Sequence, residues 1–287
     1  MISAICVFNS EQILKDCLLQ SLLEQKTAFE TIIIDNTQNR FKSAAEALNW
    51  GAKQAVGDYL MFVHQDVDLC SNSFFDGLEA LLDSLPKLGV AGVAGVSEHG
   101  GPFLQWVRNT VQGMPQARHR NVITHGLQRE RCGTPIREPE PVQTLDECLI
   151  IIPKVMFEKT QFDEVTCDDW HLYAADYCLS VGARGFIVYA IPKRIHHRSK
   201  GCREISVLAG TASLTILPEE YYRTLQRVLK KHKNSYKLIH VSFGSWNTVY
   251  PLKLQRVKPD VLFVLFVILN VILRLIVLTC YRSSVSR

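Results

Sequence analysis

The chain has 287 residues, of which 47% are hydrophobic, so it can bury a sizeable core. Its formal net charge of +4 is too weak to predict nucleic-acid binding. Nine cysteines are scattered without a CxxC pair, and this spacing predicts free thiols in a reducing compartment. Met1 runs straight into "ISAICVF", which has no basic region, so we expect no signal peptide.

Short apolar runs alternate with amphipathic segments along most of the chain. The predicted strands cover residues 3–8, 30–36, 58–63, 89–96, 147–153 and 186–191. The predicted helices cover residues 11–25, 42–57, 74–85 and 168–185. Residues 97–146 are rich in Gly, Pro, Arg and His, and we expect a functional or disordered loop there. The alternation predicts an α/β fold with a mostly parallel, Rossmann-like sheet flanked by helices.

Polar residues follow three of the predicted strands: Asn9-Ser10, Asp35-Asn36 and His64-Gln65-Asp66. Each cluster alone is typical of a turn, but in a parallel sheet ligands bind outside the carboxyl ends of the strands. Carboxylate oxygens at such an edge suit Mg²⁺ or Mn²⁺, an ion that is commonly shared with phosphate oxygens. A carboxylate such as Asp35 can also accept hydrogen bonds from a nucleobase or a ribose.

The predicted helix at 168–185 carries several acids. Asp169, Tyr173 and Asp176 share one helical face, and Asp168 lies on an adjacent face. One of these acids could act as a general base toward a hydroxyl group. The alternative for Asp168 and Asp169 is an ordinary first-turn position, where the helix dipole stabilises negative charge.

The strongest physical signal is "VLFVLFVILNVILRLIVLT" at 261–279, where sixteen of nineteen residues are Val, Leu, Ile or Phe. Their insertion free energies sum to about −7 kcal/mol, which outweighs Arg274 and Asn270. We therefore predict a transmembrane helix at 260–281, with a long buried or interfacial helix as the alternative. We expect a single-pass C-terminal anchor that leaves the catalytic domain in the cytoplasm.

Residues 206–259 form a basic region, which is either a solvated helix face or a surface for anionic lipid.

The segments "ISAICVFN", "TIIIDN", "SAAEALNWGAKQAVGDYLMFVHQDVDL" and "FDEVTCDDWHLYAADYCLSVGARGFIVYAIPKRIHHRSKG" resemble the successive motifs of family 2-type glycosyltransferases with the GT-A fold. The resemblance covers residues 1–201 and implies a nucleotide-sugar transferase domain at 1–205. It implies that the donor nucleotide binds to Phe8, Asn9, Asp35, His64 and Gln65. "HQD" stands where the family has a DxD-type motif, so His64 replaces the usual first acid. The implied ligands of Mn²⁺ or Mg²⁺ are Asp66, then Asp68, and His197.

The resemblance leaves the base open. If "YAADYCLS" aligns with the family's acidic motif, Ala174 takes the base position and Asp176 is the next acid. If "CDDW" is the acidic pair, the base is Asp168 or Asp169. We favour Asp169, then Asp176. The implied reaction is an inverting transfer of a sugar from a nucleotide-diphosphate-sugar donor to a hydroxyl of a glycan or lipid-linked acceptor.

Two rival functions remain open at the level of sequence. A nucleotidyltransferase would carry a Gly-rich basic loop after the first strand, where this chain has "NSEQILK". A non-catalytic, membrane-tethered protein that binds a nucleotide or a sugar would tolerate the loss of acids at positions 64 and 174.

Overall fold

A computed structural model describes residues 1–97, 119–126, 129–199, 204–206, 213–215 and 217–252. The predicted transmembrane helix at 260–281 lies outside the described residues, as do 98–118 of the predicted loop. Among the helices that are described, none is long and apolar enough to cross a membrane.

The described residues form eighteen strands, many of them short. The strands are β1 Ile2–Phe8, β2 Glu30–Asp35, β3 Tyr59–Val63, β4 Val67–Asp68, β5 Leu88–Gly92, β6 Gly95–Val96, β7 His119–Arg120, β8 Ile123–His125, β9 Glu130–Cys132, β10 Glu140–Val142, β11 Thr144–Leu145, β12 Leu149–Pro153, β13 Ile187–Ala190, β14 His196–His197, β15 Glu204–Ser206, β16 Ser213–Thr215, β17 Leu238–Val241 and β18 Gly244–Asn247. The helices are α1 Glu11–Leu14, α2 Gln20–Leu23, α3 Ala44–Ala52, α4 Leu78–Asp83, α5 Lys154–Phe157, α6 Tyr173–Gly182 and α7 Glu219–His232, with a π-helical turn at Lys15–Leu19 that joins α1 to α2.

Seven strands make the central sheet in the order β10-β13-β5-β12-β3-β1-β2. Strands β1, β2 and β3 pair in parallel, and so do β5 and β13. Strand β12 lies antiparallel between β3 and β5, and β10 is antiparallel to β13 at the edge. The predicted α/β class is confirmed, but the sheet is mixed because the strand predicted at 147–153 runs against its neighbours.

Alternate side chains of β3 explain why this strand is apolar throughout. Leu60 and Phe62 pack into a hydrophobic cluster with α3, α6 and α7. Met61 and Val63 face the other side of the sheet, where they pack with α1, α2 and α4. Because helices cover both faces, the strand has no solvated side and needs no polar alternation.

Helix α6 starts five residues later than the sequence predicts. Asp163 accepts hydrogen bonds from the backbone N–H groups of Val165 and Thr166 at 2.9 and 3.0 Å, and so closes a turn. Leu172 then takes a left-handed conformation with φ of 65°, which no α-helix continues through. Asp168 and Asp169 therefore lie in a loop before the helix and not in its first turn.

Helix α7 and the β17–β18 hairpin extend the same hydrophobic core. Leu225, Val228 and Ile239 are buried in the cluster that contains α3 and α6. The Tyr236 hydroxyl, which follows α7, donates a hydrogen bond to the carbonyl of Leu179 in α6 at 3.2 Å. The described part of the predicted basic region thus packs on the sheet domain.

Gly57 lies where two backbone segments approach each other. A Cβ at this position would come within 2.7 Å of the Met1 carbonyl oxygen and 2.8 Å of the Ser3 nitrogen. Since backbone atoms cannot rotate away, we expect Gly57→Ala to lower the free energy of unfolding by about 1–3 kcal/mol. Urea denaturation followed by circular dichroism measures this, and an unchanged midpoint would contradict the close approach.

Candidate active site

A cavity of about 400 Å³ opens at the carboxyl ends of β1, β2 and β3. Residues from these strand ends, from the loop before β12, from the start of α6 and from the region after residue 217 surround it. The residues that line it include Phe8, Asn9, Asn36, His64, Gln65, Asp66, Asp146, Glu147, Trp170, His171, Tyr173, His197, Tyr221 and Phe243. The position agrees with the edge at which the sequence predicts ligand binding.

Three side chains in the cavity form a cluster that could hold a metal ion. One ligand atom each from His64, Asp66 and His197 lies within 4.8 Å of the other two. His197 Nε2 is 3.2 Å from Asp66 Oδ1 and 3.5 Å from His64 Nδ1. Strand β14 brings His197 here because it pairs antiparallel with β4, directly after the turn that carries Asp66. The predicted ligands Asp66 and His197 come together, and His64 joins them.

Tyr173 fixes the orientation of His64. The Tyr173 hydroxyl donates to the carbonyl oxygen of Glu147 at 3.2 Å and lies 3.1 Å from His64 Nε2. Because the hydroxyl proton is already used, His64 Nε2–H donates to the phenol oxygen. This tautomer leaves a lone pair on Nδ1, which faces His197 and is available to a metal ion.

Charges within the cluster are strongly coupled. Burial, together with the neighbouring His197, lowers the pKa of His64 to about 4, so His64 is neutral and fit to coordinate. Burial opposes the ionisation of Asp66, but the hydrogen bond and charge of His197 outweigh it and lower the pKa of Asp66. The pKa of His197 is raised, since Asp66 outweighs the effect of burial there as well. His197 Nδ1 is buried and has no hydrogen-bond partner among the described residues.

The predicted donor-binding residues lie on the side of the cavity formed by β1. Gln65 Oε1 accepts hydrogen bonds from the backbone N–H groups of Asn9 and Ser10 at 3.1 and 3.0 Å. Gln65 Nε2 donates to Asn9 Oδ1 at 2.7 Å. These contacts tie the end of β1 to the turn that carries Asp66. Phe8, Asn9, His64 and Gln65 line the cavity as expected from the resemblance.

Asp35 and Asp68 are not among the residues that line the cavity. Asp35 is exposed and accepts a hydrogen bond from the Thr37 N–H at 2.8 Å, while its neighbour Asn36 lines the cavity. Asp68 accepts from the Cys70 N–H at 2.8 Å and lies 4.0 Å from Arg129. Asp68 is also absent from the metal-binding cluster.

The three acids predicted as candidate bases have other partners and do not line the cavity. Asp168 pairs with Arg227 of α7. Asp169 accepts a hydrogen bond from the Trp170 N–H at 2.6 Å. Asp176 is 2% exposed and is paired with Lys231 at 2.6 Å and with His232 at 2.8 Å. The positions of these three residues therefore do not support a catalytic role.

Two acids that the sequence analysis did not select, Asp146 and Glu147, face the cavity. Asp146 Oδ1 accepts from the Cys148 N–H at 3.1 Å and Oδ2 from the Ser242 hydroxyl at 2.8 Å. Burial opposes its ionisation, yet His197 and these hydrogen bonds lower the pKa of Asp146 to about 2. For Glu147, burial and the charge of Asp146 raise the pKa well above its ordinary value. The signal in the sequence is an acidic pair that comes directly before an apolar strand.

Aromatic rings also line the cavity. Tyr221 lies 5.7 Å from His171 and 5.9 Å from Phe243 between ring centroids. Trp170 is 37% exposed and Phe243 is 45% exposed, so both present faces to solvent at the cavity. Such rings suit the apolar faces of sugars or of bases.

The sequence pattern of the family described as "Glycosyltransferase like family" matches residues 3–200. A protein of Fuscovulum blasticum named "ATP synthase subunits region ORF 6" is 26% identical over 255 residues, covering 84% of this chain and 88% of that protein.

Three solved structures are similar in fold. GalNAc-T7 with UDP, GalNAc and Mn²⁺ matches with a TM-score of 0.51 and 12% identity, covering 80% of this chain and 48% of that one. The mannosyltransferase PcManGT from Pyrobaculum calidifontis, in complex with GDP-Man and Mn²⁺, has a TM-score of 0.47, 11% identity and coverages of 81% and 63%. S. aureus TarS 1–349 with UDP-GlcNAc has a TM-score of 0.45, 14% identity and coverages of 83% and 67%. The chain thus spans about half the length of GalNAc-T7.

Proposed function

Since the chain belongs to the glycosyltransferase-like family, whose pattern matches more than half of it, we propose that it transfers a sugar from a nucleotide-diphosphate-sugar donor to an acceptor hydroxyl. The transfer is a single displacement with inversion at the anomeric carbon, and it depends on a divalent metal ion. The acceptor is a glycan or a lipid-linked glycan.

The observation that carries this proposal is the cluster of His64, Asp66 and His197 at the strand ends. Two imidazole nitrogens and one carboxylate oxygen, mutually within 4.8 Å, fit a divalent cation. The cluster shares its cavity with Asn9 and Gln65, where a donor nucleotide would lie. When bound, the cation supplies positive charge beside the diphosphate oxygens of the leaving group.

The ligand types favour Mn²⁺ over Mg²⁺. Mg²⁺ prefers oxygen ligands, whereas imidazole nitrogens suit first-row transition metals. His64 stands where the family commonly has an acid, and this replacement moves the ligand set toward nitrogen. The fold relationship to GalNAc-T7, which was solved with UDP and Mn²⁺, supports the same metal and makes UDP-sugars the first donors to examine.

The apolar stretch at 261–279 supports membrane attachment as part of the proposal. A helix at 260–281 would hold the transferase domain at a membrane, with the domain on the cytoplasmic side. A domain in that position can reach the head group of a lipid-linked acceptor.

The test is a thermal-shift panel on the full-length protein with UDP-GlcNAc, UDP-GalNAc and GDP-mannose. Each donor is added with Mn²⁺, with Mg²⁺ or with EDTA, and release of UDP or GDP is followed in parallel. We expect one donor class to raise the melting temperature only with a divalent ion, and more with Mn²⁺. At a donor concentration of 100 times Kd the stabilisation is about 2.7 kcal/mol. If no donor stabilises the folded protein with either ion, the proposed function is wrong.

A further inference from the structure

Residues 221–259 concentrate the positive charge of the chain. Nine of the 32 Lys and Arg residues fall in this range, and none of the 28 Asp and Glu residues does. The rest of the chain is therefore net negative, so the positive charge belongs to one segment. A basic segment directly before a long apolar stretch is typical of chains that contact anionic lipid.

The basic side chains of this segment differ in their partners. Arg227 and Lys231 of α7 pair with acids of the sheet domain. Lys230, Lys233 and Lys237 are exposed, and none of them makes an ion pair within the part of the chain that the structure describes. These three lysines therefore keep their full charge for a partner outside the fold.

The open end of the β17–β18 hairpin places exposed apolar residues beside one of these lysines. The Thr248 N–H donates to the carbonyl of Lys237 at 3.1 Å, so Val249 and Tyr250 follow next to Lys237 and Leu238. Leu238 is 41% exposed, Val249 74% and Tyr250 64%. What we call the basic surface consists of Lys230, Lys233, Lys237, Leu238, Val249 and Tyr250.

The basic surface lies at the C-terminal end of α7. The Tyr236 N–H donates to the carbonyl of His232 at 3.0 Å and closes the turn from the helix into the hairpin. At the start of α7, Tyr221 lies 5.9 Å from Phe243 between ring centroids, and both residues line the cavity. The 14 residues of α7 span about 21 Å. Since the basic surface and the cavity lie at opposite ends of this helix, changes at one should leave the other intact.

The apolar stretch is within reach of the basic surface. The described chain ends at Leu252, and the apolar stretch begins at Val261. Nine residues of chain span at most about 30 Å when they are fully extended. The intervening sequence adds three further cations, Lys253, Arg256 and Lys258. A bilayer that holds the apolar stretch therefore comes close to the basic surface.

An ordinary helix end explains only part of this surface. Lysines near the C-terminus of a helix stabilise its dipole, and this accounts for Lys230 and Lys233. It does not account for Lys237, which lies in the hairpin segment, or for the exposed Val249 and Tyr250. Exposed apolar and aromatic side chains among lysines are the combination that suits the head-group region of a membrane.

We propose that the basic surface rests on an anionic lipid bilayer, with its lysines among the head groups and Leu238, Val249 and Tyr250 in the interface. This inference goes beyond sugar transfer and does not depend on it. It adds an electrostatic contact, made by the folded domain, to the proposed anchor at 260–281. The anchor fixes the protein to a membrane, and the basic surface sets which side of the domain faces that membrane.

The test places a tryptophan on the basic surface of the full-length protein by the change Val249→Trp. Vesicles of phosphatidylcholine with dibrominated acyl chains, with or without about 30% phosphatidylserine, quench a tryptophan that reaches the interface. We expect the fluorescence added by Val249→Trp to fall by at least about half in anionic vesicles, and by much less in neutral ones. Leu23→Trp puts the same reporter at an exposed site on α2, on the other face of the sheet, and should not be quenched.

The charge of the surface is tested by Lys230→Gln, Lys233→Gln and Lys237→Gln together, in the Val249→Trp protein. Each lysine near an anionic membrane changes the ratio of attached to detached surface about fivefold, so the triple change should lower it by about 100-fold. The quenching that depends on phosphatidylserine should therefore disappear. Raising NaCl from about 50 mM to about 500 mM should have the same effect, because salt screens the attraction.

The matched control removes the same three charges elsewhere, by Lys26→Gln, Lys53→Gln and Lys159→Gln. These lysines are exposed and lie outside the basic surface. The control should keep the quenching of Val249→Trp in anionic vesicles. Both triple variants should keep the wild-type melting temperature and the shift that donor and Mn²⁺ produce.

Flotation through a density gradient reports the anchor separately. If the protein floats with vesicles but Val249→Trp is unquenched in the anionic ones, as for a surface that serves an acidic protein, this inference is overturned and the proposed anchor is unaffected. Equal quenching in neutral and anionic vesicles also overturns it, as does a basic-surface triple variant that behaves like the control. A wild type that floats with neither vesicle overturns both the anchor and the inference. The donor and Mn²⁺ shift tests sugar transfer independently of all these outcomes.

Discussion

Replacement of Asp66 by asparagine is expected to remove Mn²⁺-dependent donor binding and to lower the turnover of a bound donor by about 1000-fold. Asp66 contributes the one carboxylate of the cluster, and its negative charge is coupled to His197 at 3.2 Å. Asparagine preserves the shape of the side chain but offers only a neutral carbonyl oxygen. Calorimetric titration with Mn²⁺ measures the affinity directly, and nucleotide release measures the turnover.

Asp68→Asn is the matched control, because it makes the same chemical change two residues away. Asp68 lies outside the cluster and accepts the Cys70 N–H. We expect its Mn²⁺ affinity to equal that of the wild type. An Asp66→Asn protein that binds Mn²⁺ as tightly as Asp68→Asn would show that the His64–Asp66–His197 cluster is a hydrogen-bond network without a metal.

Replacement of Asp176 by alanine is expected to destabilise the fold by about 3–5 kcal/mol and to lower the melting temperature by roughly 10 °C. Asp176 is buried in α6 and pairs with two residues of α7, Lys231 at 2.6 Å and His232 at 2.8 Å. Its removal leaves the Lys231 charge and the buried His232 without their main partner, although Asp163 still contacts Lys231 at 2.9 Å. Calorimetry or urea denaturation measures the loss.

Asp168→Ala is the control for the destabilisation that we expect for Asp176→Ala. Asp168 also pairs with a cation of α7, Arg227, but the Asp168 side chain is 57% exposed. An exposed pair contributes about 0–1 kcal/mol, so the melting temperature should change little. Equal losses in the two variants would contradict the view that Asp176 joins α6 to α7 through a buried ion pair.

The sequence predicts well the framework around strands β1, β2 and β3. Apolar runs predict strands β1, β2 and β3, and the polar residues that follow them locate the cavity edge. Asn9, Gln65 and Asp66 could be selected because parallel strands present their carboxyl ends on one side of a sheet. His197 came from the family resemblance, and the structure explains its place through the pairing of β14 with β4.

The same rule explains why Asp146 and Glu147 were missed. Strand β12 is antiparallel to β3, with Leu149 opposite Val63. Its amino end, and not its carboxyl end, therefore lies at the cavity edge. Apolar periodicity does not report strand direction, so the acidic pair before β12 carries no positional signal in the sequence alone.

The acids of the predicted helix lie outside the cavity lining for a different reason. The helical pattern at 168–185 continues upstream of the true start, and neither the Asp163 turn nor the left-handed Leu172 has a strong sequence signature. For Asp176, the deciding partners Lys231 and His232 lie 55 and 56 residues further along the chain. A single sequence does not reveal such a long-range pairing, so an acid on a helix looks equally suited to catalysis and to packing.

The phenol of Tyr173 has a mechanical consequence. One oxygen atom is bonded both to His64 and to the backbone of Glu147. The two hydrogen bonds share this oxygen, so a single side chain joins the end of β3 to the peptide before β12. The Tyr173 phenol therefore couples the orientation of the His64 ring to the position of the backbone that leads into β12.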